Sequence, residues 1–228
     1  MSDDALSLIH RVRRPTQASH GAPPLLLLLH GIGSHEQDLM GLAPHLDPRF
    51  FVVGARAPHT LQPGAFAWFH VEWTADGPIA DATEAKQSMA LLNRFIDEVT
   101  RQYTLDAQRV YLMGFSQGAI LSLALALTEP KKVAGEVAMS GRLLTEALAT
   151  LAAPEALAGL PIFVAHGTQD QVLSIRYGRD IQQQLEKLPV ALTYHEYPMA
   201  HEVSGASLSD IAAWLSARLD GPRREASQ

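Results

Sequence analysis

The stretch that most constrains this chain is Val110-Tyr111-Leu112-Met113-Gly114-Phe115-Ser116-Gln117-Gly118-Ala119-Ile120-Leu121, which is apolar on both sides of a Gly-x-Ser-x-Gly sequence. It predicts a strand, a tight turn and a helix in immediate succession. The turn forces its central residue into a strained backbone conformation, and the small neighbours Gly114 and Gly118 let strand and helix approach closely enough to make it. Ser116 then stands at the C-terminal end of the strand with its hydroxyl clear of the main chain. Gly-x-Ser-x-Gly alone arises by chance in roughly one chain in fifteen of this length. The weight therefore rests on the setting, a strand-like run before the motif and an apolar helix after it.

The rest of the chain repeats that alternation. Leu6, Leu8 and Val12 suggest an early half-buried strand before Arg13-Arg14-Pro15, and Leu25 to His30 is a continuous apolar run, as expected of a parallel strand covered on both faces. A short helix over 38–46 and a strand over 50–54 follow. Residues 55–79 are rich in Pro, Gly and aromatics without a clear period, and such a segment inside a compact domain reads as a binding loop. Asp81 N-caps an amphipathic helix carrying Ala85, Met89, Leu92, Ile96, Val99 and Tyr103. Beyond the Ser116 helix the expected elements are a strand over 133–139, a weak helix over 143–151 and a strand over 161–166. A helix over 175–188, a strand over 191–197 and a last helix over 204–219 complete the series. The expectation is one α/β domain over 1–228, with a mostly parallel sheet and helices on both faces; 1–24 form an N-terminal edge strand and loop, and 221–228 a polar tail.

Composition removes several kinds of chemistry. The chain has no cysteine, which excludes disulfides, thiolate metal sites and a cysteine nucleophile. A formal charge of −6 without a basic block argues against nucleic acid as a partner. The longest leucine run, Leu25 to Leu29, is far too short for stable membrane insertion, and with the acidic Asp3 and Asp4 before it the expected location is cytoplasmic. The final helix and the edge strands are the elements through which a homodimer would form.

In a sheet of this kind, function gathers at the C-terminal ends of the strands. Those ends carry Gly31-Ile32-Gly33, Ser116-Gln117, Gly167-Thr168-Gln169-Asp170 and Met199-Ala200-His201. A serine hydroxyl needs a base within hydrogen-bond reach, and the base needs an acceptor that fixes its tautomer. Ser116, His201 and Asp170 are the candidates, in the order Ser, Asp, His of the α/β hydrolases. His30, His166 and His195 lie at or within strands, where structural hydrogen bonds are the commoner use. A tetrahedral intermediate also needs donors, and the N–H groups of Gln117 and Ile32 are placed to supply an oxyanion hole. His30, His35, Glu36 and Asp38 cluster in sequence but match no metal-ligand spacing, so neither metal nor cofactor is expected.

These residues resemble the phospholipase/carboxylesterase family of small α/β hydrolases, which includes the acyl-protein thioesterases and bacterial carboxylesterases. The resemblance runs from about Leu25 to Leu219. It rests on Leu29-His30-Gly31-Ile32-Gly33 with Glu36-x-Asp38-Leu39, on Trp68-Phe69, Gly114-Phe115-Ser116-Gln117-Gly118 and Met139-Ser140-Gly141, and on His166-Gly167-Thr168-x-Asp170 and His201-Glu202. It implies the α/β-hydrolase fold, a triad of Ser116, Asp170 and His201, an oxyanion hole from Ile32 and Gln117, and ester or thioester hydrolysis without a cofactor. His70 departs from the acidic residue expected after Trp68-Phe69. The apolar Trp68, Phe69, Leu143 and Leu144 are the candidates for substrate contact, which favours an acyl chain over a sugar or charged peptide. The expected substrate is a short- to medium-chain acyl ester. A thioesterase, lysophospholipase or amidase on the same residues, and a non-catalytic binding protein of the same fold, are the alternatives.

Overall fold

The structure, a computed structural model, describes residues 6–19, 21–74 and 77–221; most of the expected polar tail, 222–228, lies outside them. In chain order the strands are β1 (His10–Arg13), β2 (Pro24–Leu29), β3 (Phe51–Ala55), β4 (His59–Gln62), β5 (Ala65–Ala67), β6 (Val71–Thr74), β7 (Gly77–Ala80), β8 (Asp106–Phe115), β9 (Gly135–Met139), β10 (Pro161–Gly167) and β11 (Ala191–Tyr197). The helices are α1 (Ala82–Gln102), α2 (Gln117–Thr128), α3 (Thr145–Leu148), α4 (Pro154–Leu157), α5 (Ile175–Leu185) and α6 (Gly205–Asp220). A 3₁₀ segment, Leu39–His45, stands where the sequence predicts a short helix; Pro44 lies within it.

Seven strands form one sheet in the order β1-β3-β2-β8-β9-β10-β11. All neighbours are parallel except β1, which runs antiparallel to β3 at the edge. The leucines of β2 show how the sheet is held. Alternate side chains of a strand point to opposite faces. Accordingly Leu25, Leu27 and Leu29 join one core with Leu92, Phe95 and Val99 of α1, the interior of α2, and Ile181 and Leu185 of α5. Leu26 and Leu28 join the other, with Ile211, Trp214 and Leu215 of α6 and Leu39 of the 3₁₀ segment. Burial stabilises each leucine by about 1.5–3 kcal/mol, so the unbroken apolar run is the sequence of a two-faced central strand. This is an α/β-hydrolase fold.

Three expectations are corrected. The segment 55–79 is not irregular: β4–β5 and β6–β7 are two antiparallel hairpins, with Gly64 at φ 81° and Gly77 at φ 120°. Strands of three or four residues are too short to display a period. The helix expected over 143–151 reduces to the single turn of α3, and α5 ends at Leu185 rather than 188. Among the described residues no helix is long and apolar enough to cross a membrane.

Candidate active site

The turn after β8 is built as its glycines require. Ser116 has φ 54° and ψ −116°, its N–H donates to the Met139 carbonyl at 2.9 Å, and its own carbonyl accepts from Ile120 N–H at 3.1 Å. A Cβ on Gly118 would lie 2.0 Å from the Leu29 carbonyl oxygen, and one on Gly114 2.5 Å from the Gly118 backbone. The strain at Ser116, about 1–3 kcal/mol for a non-glycine residue in such a conformation, is held by packing on both sides. It is the backbone cost of exposing one hydroxyl.

The C-terminal ends of β10 and β11 bring the other two groups to that hydroxyl. His201 Nε2 is 2.9 Å from Ser116 Oγ, and His201 Nδ1 is 2.7 Å from Asp170 Oδ2. The second carboxylate oxygen of Asp170 accepts from the N–H groups of Val172 and Leu173, both at 2.8 Å. Asp170 can only accept, so His201 Nδ1 carries a proton and Nε2 is the free base facing the serine. His166 lies fully buried beneath: Nε2–H donates to the Leu173 carbonyl at 2.7 Å, and burial lowers its pKa, keeping the ring neutral. It braces the loop that presents Asp170.

Opposite the elbow, the loop after β2 follows the same economy. Gly33, at φ 80°, donates to Phe66 O at 2.8 Å, while Ile32 N–H has no partner among the described residues. Gln117 N–H, the first of α2, likewise lacks an intrahelical acceptor. His30 fixes this loop from within, its Nδ1–H donating to Gly31 O at 2.7 Å and its Nε2 accepting from Ala57 N–H at 3.1 Å. Burial lowers the His30 pKa and favours the neutral ring that this bonding needs. Glu36 is paired with Arg56 at 2.6 and 2.8 Å, and those bonds hold its carboxyl down at about 2. His30 and Glu36 are thus committed to structural bonds, and the cluster 30–38 does not converge as a ligand set.

The cleft in front of Ser116 has a volume of about 310 Å³. Phe69 lines it; Trp68, Leu143 and Leu144 do not. Trp68 is fully buried, with Nε1–H donating to His30 O at 3.0 Å and its own N–H donating to Gln117 Oε1 at 2.7 Å. Gln117 Nε2 in turn donates to Phe69 O at 2.7 Å. The Gln117 side chain therefore ties the hairpin segment to the elbow. Leu144 packs into the α2-side core. The walls that sequence reasoning missed are Val71 and Trp73 of β6, with Pro78 from β7 and Val172 and Leu173 beside Asp170. Their proximity to Phe69 and Asp170 in sequence was the available signal, but which face each side chain takes is a tertiary fact.

A family profile described as Phospholipase/Carboxylesterase matches residues 11–219. The chain belongs to this family. An acyl-protein thioesterase 1 from Kluyveromyces lactis is 30% identical over 223 residues, covering 90% of this chain and 96% of that protein. The carboxylesterase SOBER1 of Arabidopsis thaliana is 28% identical over 170 residues, 72% of this chain and 74% of its own length. The solved structure of the Bacillus cereus carboxylesterase superposes with a TM-score of 0.77 at 26% identity, covering 92% of this chain and 94% of that one. Membership of the phospholipase/carboxylesterase family makes this chain an ester hydrolase, and it spans nearly the full length of the thioesterase relative.

Proposed function

We propose that the chain hydrolyses short- to medium-chain acyl esters through an acyl-enzyme on Ser116, with His201 as base and Asp170 as its orienting acid. The observation that carries the reading is the continuous hydrogen-bonded path from Ser116 through His201 to Asp170, 2.9 and 2.7 Å long at its two steps. His201 Nε2 takes the Ser116 proton as Oγ bonds to the acyl carbon, and the carbonyl oxygen, now an anion, accepts from Ile32 and Gln117 N–H. The imidazolium then protonates the departing alkoxide as the ester bond breaks. Water, deprotonated by the same nitrogen, attacks the acyl carbon and releases the acid and Ser116.

The acyl side is argued from the walls. The cleft volume stands at the lower end of the range for small-molecule sites, and Phe69, Val71 and Trp73 give it an apolar side. Thioesters are the second reading, favoured by the likeness to an acyl-protein thioesterase over nearly the whole chain. A thiolate leaves more readily than an alkoxide, so the same groups serve both.

Hydrolysis of p-nitrophenyl esters from acetate to laurate, with matched thioesters and amides, tests the proposal. Turnover should peak among the shorter esters and fall by about 10⁴-fold or more in Ser116→Ala. A serine-directed phosphonate should add one adduct to the native chain and none to the variant. Activity confined to long acyl chains would refute the substrate assignment. Absence of both turnover and adduct would make this a non-catalytic member of the fold.

A further inference from the structure

Behind the apolar wall of the cleft lies a group of side chains that ester hydrolysis does not use. His59 opens β4, His70 precedes β6, and Glu84 sits in the first turn of α1. One ligand atom from each lies within 4.8 Å of the other two. A Glu84 oxygen is 2.8 Å from His70 Nδ1 and 4.0 Å from His59 Nε2. The imidazole rings stand 5.3 Å apart, centre to centre. Glu84 also accepts from the His70 backbone N–H at 2.7 Å, which fixes its carboxylate beside the two rings.

We propose that His59, His70 and Glu84 form a binding site for a divalent transition cation of the zinc class. Two imidazoles and one carboxylate form a donor set suited to such ions, and three protein ligands leave a further position for water. Bonds of about 2.0–2.2 Å place tetrahedral donors about 3.3 Å apart. The two separations from Glu84, 2.8 and 4.0 Å, bracket that value, and with every pair within 4.8 Å the donors need to close by about 1.5 Å at most, within reach of side-chain rotation. His70 would bind through Nδ1, with its remaining proton on Nε2 of a side chain that is 57% exposed. Two nitrogen donors disfavour calcium and magnesium, which prefer oxygen. The bound ion would join both hairpins to α1. Phe69 and Val71, which line the cleft, flank His70, so the ion would brace that wall.

The test starts from full-length protein stripped with EDTA and freed of the chelator. Zinc is titrated in competition with a chromophoric chelator and the melting temperature is followed. One zinc per chain at micromolar affinity or tighter is expected, with a melting temperature several degrees higher at saturation. His59→Gln and His70→Gln should each weaken binding at least tenfold and abolish the thermal shift, and calcium or magnesium should not substitute. X-ray absorption at the zinc edge should show two imidazoles in a nitrogen and oxygen shell, a readout independent of how either variant folds. Substoichiometric zinc, binding equally tight in both variants, or a shell with a different number of imidazoles would overturn the site.

Discussion

The elbow around Ser116 and the paired hairpins over 59–80 face each other across one cleft, yet they are specified in different ways. At the elbow, a contiguous run of residues dictates the geometry: Gly114 and Gly118 are in contact with backbone that cannot move, and Ser116 is held at φ 54° between β8 and α2. The hairpins are short ribbons, and at Gly64, in the β4–β5 turn, an added Cβ meets nothing within 4 Å. Two-stranded ribbons are marginal by themselves. Here Gln117 and Ser88, which bond the Trp68 and Phe69 backbone, attach them to the rest. The side carrying the reactive groups is therefore overdetermined, and the side that shapes the cleft rests on a few anchors.

The largest effect should come from challenging the two sides with the same substitution. In Gly118→Ala the new methyl would stand 2.0 Å from Leu29 O and 2.8 Å from His30 O, both main-chain atoms. A loss exceeding about 4 kcal/mol, or no folded protein, is expected. Gly64→Ala meets no atom and costs only its left-handed conformation, about 1–2 kcal/mol. Urea unfolding of both measures the asymmetry, and equal losses would refute it.

Cutting the tie between the sides should also have a large effect, on both stability and binding. Gln117→Ala keeps the backbone N–H that faces the cleft but strands the buried Trp68 N–H and Phe69 carbonyl. Leaving such groups unpaired costs about 1–3 kcal/mol each. Stability should fall by about 2–4 kcal/mol, and KM should rise more than kcat falls, because Phe69 moves while the elbow stays. A loss in kcat alone would mean that Gln117 acts only on the elbow side.

A third test probes a burden carried by the rigid side. Glu136 of β9 is fully buried; one oxygen accepts from Ser122 Oγ at 2.7 Å and the other has no partner among the described residues. Burial pushes its carboxyl well above the ordinary value, so the folded protein holds the proton that the unfolded chain releases. Stability contributed by the neutral acid is full below the unfolded pKa and declines by about 1.4 kcal/mol per pH unit above it, until the folded pKa is reached. Glu136→Gln mimics the protonated form at every pH. Its stability relative to the native chain should be near zero in mild acid and grow with that slope towards alkaline pH in paired denaturation curves. A flat difference would show that the native carboxyl is already ionised.

The same contrast explains what was legible in the sequence. The leucine run of β2 and the apolar runs of β8 and β10 declare buried strands because both of their faces are covered. The Gly-Phe-Ser-Gln-Gly turn declares itself because, between a strand and a helix, only glycine fits at 114 and 118. Ser116, Asp170 and His201 could be picked from their positions after successive strands. Nothing local distinguishes Trp68, which points into the core, from Trp73, which points into the cleft, since burial depends on how a hairpin docks on α1 and α2. His59, His70 and Glu84 are likewise separated along the chain and meet only through that docking.

The two tryptophans provide the finest discrimination. Trp73 is 59% exposed and contributes to the cleft wall, whereas Trp68 is fully buried with both of its N–H groups bonded. Trp68→Ala should cost about 3–5 kcal/mol of stability, as for a buried aromatic. Trp73→Ala removes no core contact, so its melting temperature should match the native chain. Its effect should appear in selectivity. Apolar contact in a pocket discriminates by about 1–3 kcal/mol per methylene at best, and a half-exposed indole offers only part of that. The ratio of kcat/KM for butyrate or hexanoate over acetate should drop by about three- to tenfold, with acetate itself unchanged. An equal loss on acetate would mean that Trp73 supports the hairpin rather than the acyl chain, and the cleft wall would then end at Phe69 and Val71.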